Sequence, residues 1–320
     1  MASNGCTALL STRLAPPTLT ALLGLAVGAI LATDAHAQAP SGDFTAGEPL
    51  ELLSNTRVYG SFHFAESCSY DSVRNLIVAP SLGNRGQAGD DDGYVSLINP
   101  DGSVHTLKWI GQTRAGLTLN DPLGSDIANG RFWVVDRNWV RSFDLATGRP
   151  MSNVEVQGAT SFNDLAVAAD GTIYMSQTGS ADGSVPERVY RLRPDGTSSV
   201  FVDGAPLSRP NGVALDGEGN VVVVNIGSAD VQTFSPSAQL LRTEQSLDAG
   251  NDGLVIMPDG TKYVSSVREG TVARLRPGRA PELIASGIPS AASMCYDPQQ
   301  NQLVIPMNSW FSLAFVQLGG

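Results

Sequence analysis

Histidine, cysteine and basic residues are scarce in this chain of 320 residues. It holds three histidines and three cysteines, which form neither a Cys-x-x-Cys pair nor a Cys/His cluster. This excludes the common zinc-site and dithiol redox motifs. The chain has 20 Lys and Arg against 31 Asp and Glu, for a net charge of −11. Nucleic acids and anionic membranes bind basic faces of proteins, so neither is expected as a partner.

Long apolar runs are also missing, except for one near the N-terminus. Residues 19–31 form an apolar stretch, and Ala35-His36-Ala37 follows with the A-x-A pattern of a signal-peptide cleavage site. The alternative is a membrane anchor, for which the stretch is short. The sequence therefore predicts a signal peptide over residues 1–37, cleavage after Ala37, a periplasmic or secreted protein, and no membrane association after cleavage.

Cys68 and Cys295 are the two cysteines that remain after this cleavage. They fall in the first and last of the repeats described next, which a closed ring would make neighbours. An oxidising compartment would permit a disulfide between them. The sequence does not give the Cβ geometry that a disulfide requires. Of the two alternatives, we expect two separate buried thiols.

One short pattern occurs six times along the chain: a polar segment, an apolar run, a Gly- or Asp-rich turn and a second apolar run. The copies begin at Glu66, Gly124, Asn163, Asn211, Asn251 and Ala292, about 40–60 residues apart. Their apolar runs are rich in β-branched and aromatic residues, as strands are. The sequence predicts an all-β protein, a six-bladed β-propeller formed as a single domain by residues 61–320. Residues 38–60 are expected to form the N-terminal segment of the mature chain. Residues 51–64 are expected to add a strand that closes the ring. The protein is expected to be a monomer.

The turns between these runs have a recurring chemistry. Pro-Asp-Gly occurs at residues 100–102, 194–196 and 258–260, and Ala-Asp-Gly at residues 169–171. Proline presets its φ angle, aspartate caps its own turn and glycine accepts a positive φ. Each of these tripeptides therefore predicts a tight hairpin connection.

Four repeats begin with an oxygen-bearing side chain: Glu66, Asn163, Asn211 and Asp252. In a closed ring, equivalent positions of the repeats converge on one axis. Carboxylate and amide oxygens are the ligands that calcium prefers. The alternative is that these residues only form turns at the junctions between loops and strands. We expect the four side chains to hold one calcium ion, or another divalent cation, at the channel mouth.

The same segments resemble a known family. FAES at residues 64–67, FND at 162–164, RPNGVALDGEGNVVVV from Arg209 and NDGLVIMPDGTKYVSS from Asn251 are similar to sequences of the senescence marker protein/gluconolactonase family. Its members are six-bladed, calcium-dependent propellers related to the paraoxonases. The resemblance implies that Glu66, Asn211 and Asp252 are metal ligands and that Asn163 lies beside both metal and substrate. It also implies that Asp252 is the general base.

Two departures from the family pattern bear on the substrate. Gluconolactonases commonly carry an arginine two residues before the asparagine of the FND element, where this chain has Ser161. Paraoxonases use channel histidines, and only His63 and His105 remain after the predicted cleavage. The expected function is a calcium-dependent hydrolase that acts on a small-molecule lactone or related ester at the channel mouth. The alternative is a non-catalytic ligand-binding or scaffold propeller with a structural metal.

Overall fold

The computed structural model describes residues 52–60, 62–84, 89–112 and 117–319. They form six antiparallel sheets of four strands each. This confirms the predicted all-β, six-bladed propeller. The predicted signal peptide lies outside the described residues. The described part of the chain contains no helix that is long and apolar enough to cross a membrane.

Each blade runs from an innermost strand at the channel to an outer edge strand. The strands of blade 1 are β2 Ser69–Asp71, β3 Leu76–Ser81, β4 Tyr94–Ile98 and β5 Val104–Gly111, and those of blade 2 are β6 Pro122–Ala128, β7 Arg131–Asp136, β8 Trp139–Asp144 and β9 Pro150–Glu155. The strands of blade 3 are β10 Leu165–Val167, β11 Ile173–Gln177, β12 Arg188–Leu192 and β13 Ser198–Asp203, and those of blade 4 are β14 Pro210–Leu215, β15 Val221–Asn225, β16 Asp230–Phe234 and β17 Leu240–Gln245. The strands of blade 5 are β18 Asn251–Ile256, β19 Lys262–Ser266, β20 Thr271–Leu275 and β21 Glu282–Ala285.

Blade 6 joins the two ends of the described chain. Its strands are β22 Cys295–Asp297, β23 Gln302–Met307, β24 Ser312–Gln317 and β1 Thr56–Gly60. A 3-10 turn, Asn308–Trp310, connects β23 to β24. Strand β1 pairs with β24 in antiparallel register, from Thr56 opposite Val316 to Gly60 opposite Ser312. The predicted closing strand is confirmed, and it lies within the segment of residues 38–60 that was placed before the propeller.

Six apolar clusters hold the ring together, one at each seam between neighbouring blades. The run of four valines in β15 shows how the sequence produces this. Val221 and Val223 pack toward blade 3, whereas Val222 and Val224 pack toward blade 5. Successive side chains of a strand point to opposite faces, so a blade buried on both faces needs an unbroken apolar run.

The predicted hairpin turns are confirmed. Asp101, Asp195 and Asp259 each accept a hydrogen bond from the main-chain N–H two residues on, at 2.9 Å. The glycine that follows each aspartate has a φ of 82–87°. Residues with a Cβ avoid this left-handed region, so glycine is required at the third position of these turns.

Candidate functional site

Three of the four predicted cation ligands come together where innermost strands begin. Glu66, Asn211 and Asp252 are 7%, 0% and 2% exposed. Asn211 Nδ2 donates a hydrogen bond to Asp252 Oδ2 at 3.2 Å. Glu66 lies close enough for its charge to raise the pKa of Asp252. The structure therefore places two carboxylates and one amide in a common buried site.

Bulges in the innermost strands present Asn211 and Asp252. In β14 the pairing register shifts between Pro210 and Val213, and in β18 it shifts between Asn251 and Leu254. Each bulge contains a glycine just after the candidate ligand. A Cβ on Gly212 would lie 2.2 Å from the main-chain oxygen of Asp252. Glycine is needed there because the neighbouring innermost strand passes too close for any side chain.

Two oxygens of this site have no hydrogen-bond partner among the described residues. They are Asn211 Oδ1 and Asp252 Oδ1, and both are buried. Buried polar atoms in native proteins nearly always have a partner, and an exception calls for an explanation such as an ion or a ligand. The chemistry of these donors fits a hard cation such as calcium, which takes carboxylate and amide oxygens.

Glu66 is supported from the last blade. Asn308 Nδ2 donates a hydrogen bond to Glu66 Oε2 at 2.6 Å. Asn308 Oδ1 accepts hydrogen bonds from the hydroxyl of Ser290 and from the main-chain N–H of Ser309. Asn308 thus orients the carboxylate of Glu66. No sequence pattern indicated this residue, because it lies in the 3-10 turn that follows the repeated pattern.

Burial dominates the electrostatics of the site. Desolvation raises the pKa of Asp252 well above its usual range, and the charges of Glu66 and Asp164 raise it further. Like charges buried together are unfavourable unless a proton or a cation compensates them. Within the described residues, no three His, Cys, Asp or Glu side chains have the arrangement of a metal site by themselves. A cation held here would therefore need the amide oxygen of Asn211 as well.

Asn163, the fourth predicted ligand, has a half-buried side chain that lines a cavity of about 240 Å³. That cavity is bounded by Leu123, Thr160, Ser161, Phe162, Asn163, Gln177, Thr178, Gly179 and Val185. None of these lining residues is ionisable. The sharing of one cation by Glu66, Asn163, Asn211 and Asp252 remains a prediction.

A second cavity, of about 350 Å³, follows the channel toward the ends of the innermost strands. All six blades contribute to its wall. Its charged residues are Asp126 and Asp164. Asp126 accepts hydrogen bonds from the N–H groups of Ile127 and Val167, at 2.7 and 2.9 Å. Its pKa is raised by burial, against the effect of these two hydrogen bonds.

Asp164 repeats this arrangement one blade further on. Its carboxylate accepts hydrogen bonds from the N–H groups of Leu165 and Val213, at 2.9 and 3.1 Å. Burial raises the pKa of Asp164 to about 7, and the charges of Asp126 and Glu66 contribute to the increase. In both cases a carboxylate of one blade holds the innermost strand of the next blade. These contacts lie far apart in sequence, which is why the sequence analysis missed them.

A disulfide joins Cys68 and Cys295, with Cα atoms 5.4 Å apart. The expectation of two separate thiols was wrong. Ring closure brings the first and last innermost strands side by side, at the distance that a disulfide requires. Both cysteines line the channel cavity, and Cys68 lies two residues beyond Glu66 in the sequence. The spacing of the repeats was the available signal, because it makes the first and last copies neighbours.

Comparison with known proteins agrees with this architecture. Residues 90–307, about two thirds of the chain, match the family described as the SMP-30/gluconolactonase/LRE-like region. The chain belongs to the SMP-30/gluconolactonase/LRE-like family. No curated protein matches the sequence.

Solved structures with the same fold have diverged widely from this member of the family. A gluconolactonase from Xanthomonas campestris is 20% identical, with a TM-score of 0.59 over 88% of this chain and 95% of that one. A putative gluconolactonase is 17% identical, with a TM-score of 0.60 over 84% and 93%. Virginiamycin B lyase from Staphylococcus aureus is 12% identical, with a TM-score of 0.56 over 84% and 100%. At these identities the likeness shows the fold alone.

Proposed function

We propose that this protein is a calcium-dependent hydrolase that opens a lactone or a related ester at the mouth of the propeller channel. The observation that carries the proposal is a pair of buried oxygens beside Glu66, Asn211 Oδ1 and Asp252 Oδ1, which have no hydrogen-bond partner in the described part of the chain. A cation would supply the missing partner for both oxygens and compensate the two negative charges. Membership of a family named after gluconolactonase favours this reading of the site.

Glu66, Asn211 and Asp252 would hold the cation, with Asn163 beside the substrate. When bound, a divalent cation polarises the carbonyl group of an ester and stabilises negative charge on its oxygen. Asp252 accepts a proton from the attacking water while the new bond between oxygen and carbon forms. The ester bond then breaks, and Asp252 returns the proton to the leaving oxygen. Asp252 suits this role by its position, because it lies in the same buried site as Glu66 and Asn211.

The cavity beside Asn163 favours an uncharged substrate. Leu123, Phe162 and Val185 supply apolar surface, and Thr160 and Thr178 belong to the same wall. Ser161 stands where many gluconolactonases have arginine and brings no cation to bind a carboxylate. We therefore propose neutral lactones or esters as the substrate class, rather than lactones that bear an acid group.

The disulfide supports the proposal that the protein is exported. Disulfides persist in oxidising compartments such as the bacterial periplasm and are rare in the cytosol. The bond between Cys68 and Cys295 is therefore consistent with the signal peptide predicted over residues 1–37.

Calcium binding is the direct test, with Glu66→Gln as the key variant. This change keeps the shape of the side chain but removes the negative charge. We expect calorimetric titration to show one calcium site in the wild type and a loss of more than about a hundredfold in affinity in the variant, since changes even outside the ligand shell cost 10–100-fold. Glu155→Gln, on the exposed edge strand β9, is the matched control and should bind calcium as the wild type does.

The enzymatic part is tested with a panel of neutral and acidic lactones, each assayed with calcium and with a chelator. Hydrolysis of neutral members that stops in chelator supports the proposal. Calcium binding without turnover of any member would instead identify a ligand-binding propeller. Absence of calcium binding in the wild type would refute the proposed site.

A further inference from the structure

Asp164 contacts the strand that carries Asn211, although Asp164 belongs to the preceding blade. The side chain of Asp164 is buried, and its Oδ2 accepts the hydrogen bond from the N–H of Val213. Val213 ends the bulge that presents Asn211. The carboxylate therefore fixes the main chain two residues beyond a candidate cation ligand.

Ser176 makes the second connection between the same two blades. Its Oγ accepts a hydrogen bond from the N–H of Asp164 at 3.1 Å and donates one to the main-chain oxygen of Asn211. Ser176 is fully buried. Blade 3 thus holds both peptide groups that flank Gly212 in the bulge. Ser176 binds the carbonyl oxygen of Asn211, and Asp164 binds the N–H of Val213.

Holding the main chain of Asn211 also sets the direction of its side chain. The Nδ2 atom of Asn211 donates to Asp252, and its Oδ1 is left without a partner among the described residues. A shift of the bulge would move Oδ1 relative to Asp252. Hydrogen bonds to residues that carry ligands are a known means by which proteins orient a metal site.

We propose that Asp164 is a positioning residue: its carboxylate, together with the Ser176 hydroxyl, fixes the Asn211 bulge of the next blade so that Asn211 Oδ1 is aligned for the cation. This inference rests on the proposed calcium site. It assigns to Asp164 an indirect role in that site, exerted through Asn211. Asp164 itself lines the channel cavity, where its carboxylate accepts hydrogen bonds from the N–H groups of Leu165 and Val213.

Asp164→Asn is a sharp test because of a simple count of acceptors. Aspartate accepts two main-chain N–H groups, one on each oxygen. Asparagine has the same shape but only one acceptor oxygen, so its NH₂ group must face one N–H donor. The variant therefore loses one of the two hydrogen bonds without any change in volume. Because it also loses a negative charge that acts on Asp252, Ser176→Ala, which removes the other link to the bulge and no charge, is measured beside it.

Asp126→Asn provides a matched control. Asp126 also accepts two N–H groups, one from its own strand and one from the next blade. Its partner in the next blade is Val167, at the end of β10 rather than beside a bulge that presents Asn211. The two variants lose the same kind of contact in the same channel, but only one of them loses support for a candidate ligand.

The experiment measures calcium affinity by calorimetry and thermal unfolding in chelator for both variants of the full mature chain. We expect both to unfold at a lower temperature than the wild type. Asp164→Asn should lose about 10–100-fold in calcium affinity. Asp126→Asn should stay within about twofold of the wild type, since the hydrogen bonds described for Asp126 go to Ile127 and Val167 and not to the Asn211 bulge.

Each outcome separates the inference from the function on which it rests. Wild-type calcium affinity in Asp164→Asn, or an equal loss in both variants, would overturn the positioning role and leave the calcium site intact. A wild type that binds no calcium would refute the calcium site itself and the inference with it. If Asp164→Asn does not fold, Ser176→Ala makes the same test, with Ser142→Ala, a buried serine bonded within blade 2, as its control.

Discussion

The buried acids that line the channel cavity and the buried acid of the candidate cation site are held differently. In the cavity wall, each oxygen of Asp126 and Asp164 accepts a main-chain N–H. At the candidate cation site, Asp252 Oδ1 has no such partner among the described residues. Burial raises the pKa of all three carboxyl groups, so the pKa does not distinguish them. Hydrogen bonding does: main-chain N–H groups occupy both oxygens of Asp126 and of Asp164, whereas one oxygen of Asp252 has no partner among the described residues and is available to a ligand.

The largest expected effect is on turnover, and it follows from Asp252→Asn. The asparagine keeps an oxygen for the cation and removes the base, so kcat for a hydrolysed lactone should fall by about 10²–10⁴-fold. The rate is measured at saturating calcium, with calcium loading checked by calorimetry. Unchanged kcat in the loaded variant would show that the unpaired oxygen has no chemical role.

Removing the disulfide tests whether this part of the channel wall stabilises the folded protein or supports calcium binding. We expect the Cys68→Ser/Cys295→Ser double variant to lose about 2–5 kcal/mol in free energy of unfolding, measured by urea titration in chelator. Its calcium affinity should change far less than that of Glu66→Gln, because the sulfur atoms are not candidate ligands. A loss of calcium affinity equal to that of Glu66→Gln would instead show that the disulfide is needed for the cation site.

The smallest expected effect is a difference in pH dependence between the wild type and Asp126→Asn. The pKa of Asp126 is raised in the folded state, so between its unfolded and folded values the folded protein binds the proton and the unfolded chain does not. Stability from this group is therefore present below about pH 4 and is lost as pH rises through the folded pKa.

Asparagine does not titrate, so the stability of the wild type relative to Asp126→Asn should fall by up to about 1.4 kcal/mol per pH unit across that window. Urea unfolding in chelator at several pH values measures this. A constant difference between the two proteins would mean that Asp126 titrates as it does in the unfolded chain.

Local signals predicted most of the fold. The hairpin turns depend on Asp and Gly within three residues, and the valines of β15 show burial on both faces, so both could be read from the sequence. The phase of the repeats also placed Glu66, Asn211 and Asp252 near one another. These features need only neighbouring residues or a shared repeat position.

Features that depend on distances between blades were not predicted. The link from Asp164 to Val213 and the orientation of Glu66 by Asn308 join residues far apart in sequence. The disulfide was misjudged because its Cβ geometry follows from how tightly the ring closes.

The pairing of β1 with β24 has a consequence for synthesis on the ribosome. Blade 6 takes Thr56–Gly60 from one end of the described chain and Ser312–Gln317 from the other. Blade 6, and with it the seam to blade 1, cannot close until Ser312–Gln317 is available to pair with Thr56–Gly60, whether the chain folds during synthesis or after the proposed export. A chain that stops short of β24 exposes that apolar seam and an unpaired strand edge, which are features that lead to aggregation. The last few residues of β24 therefore decide whether the product has an open ring that is prone to aggregation or a closed ring.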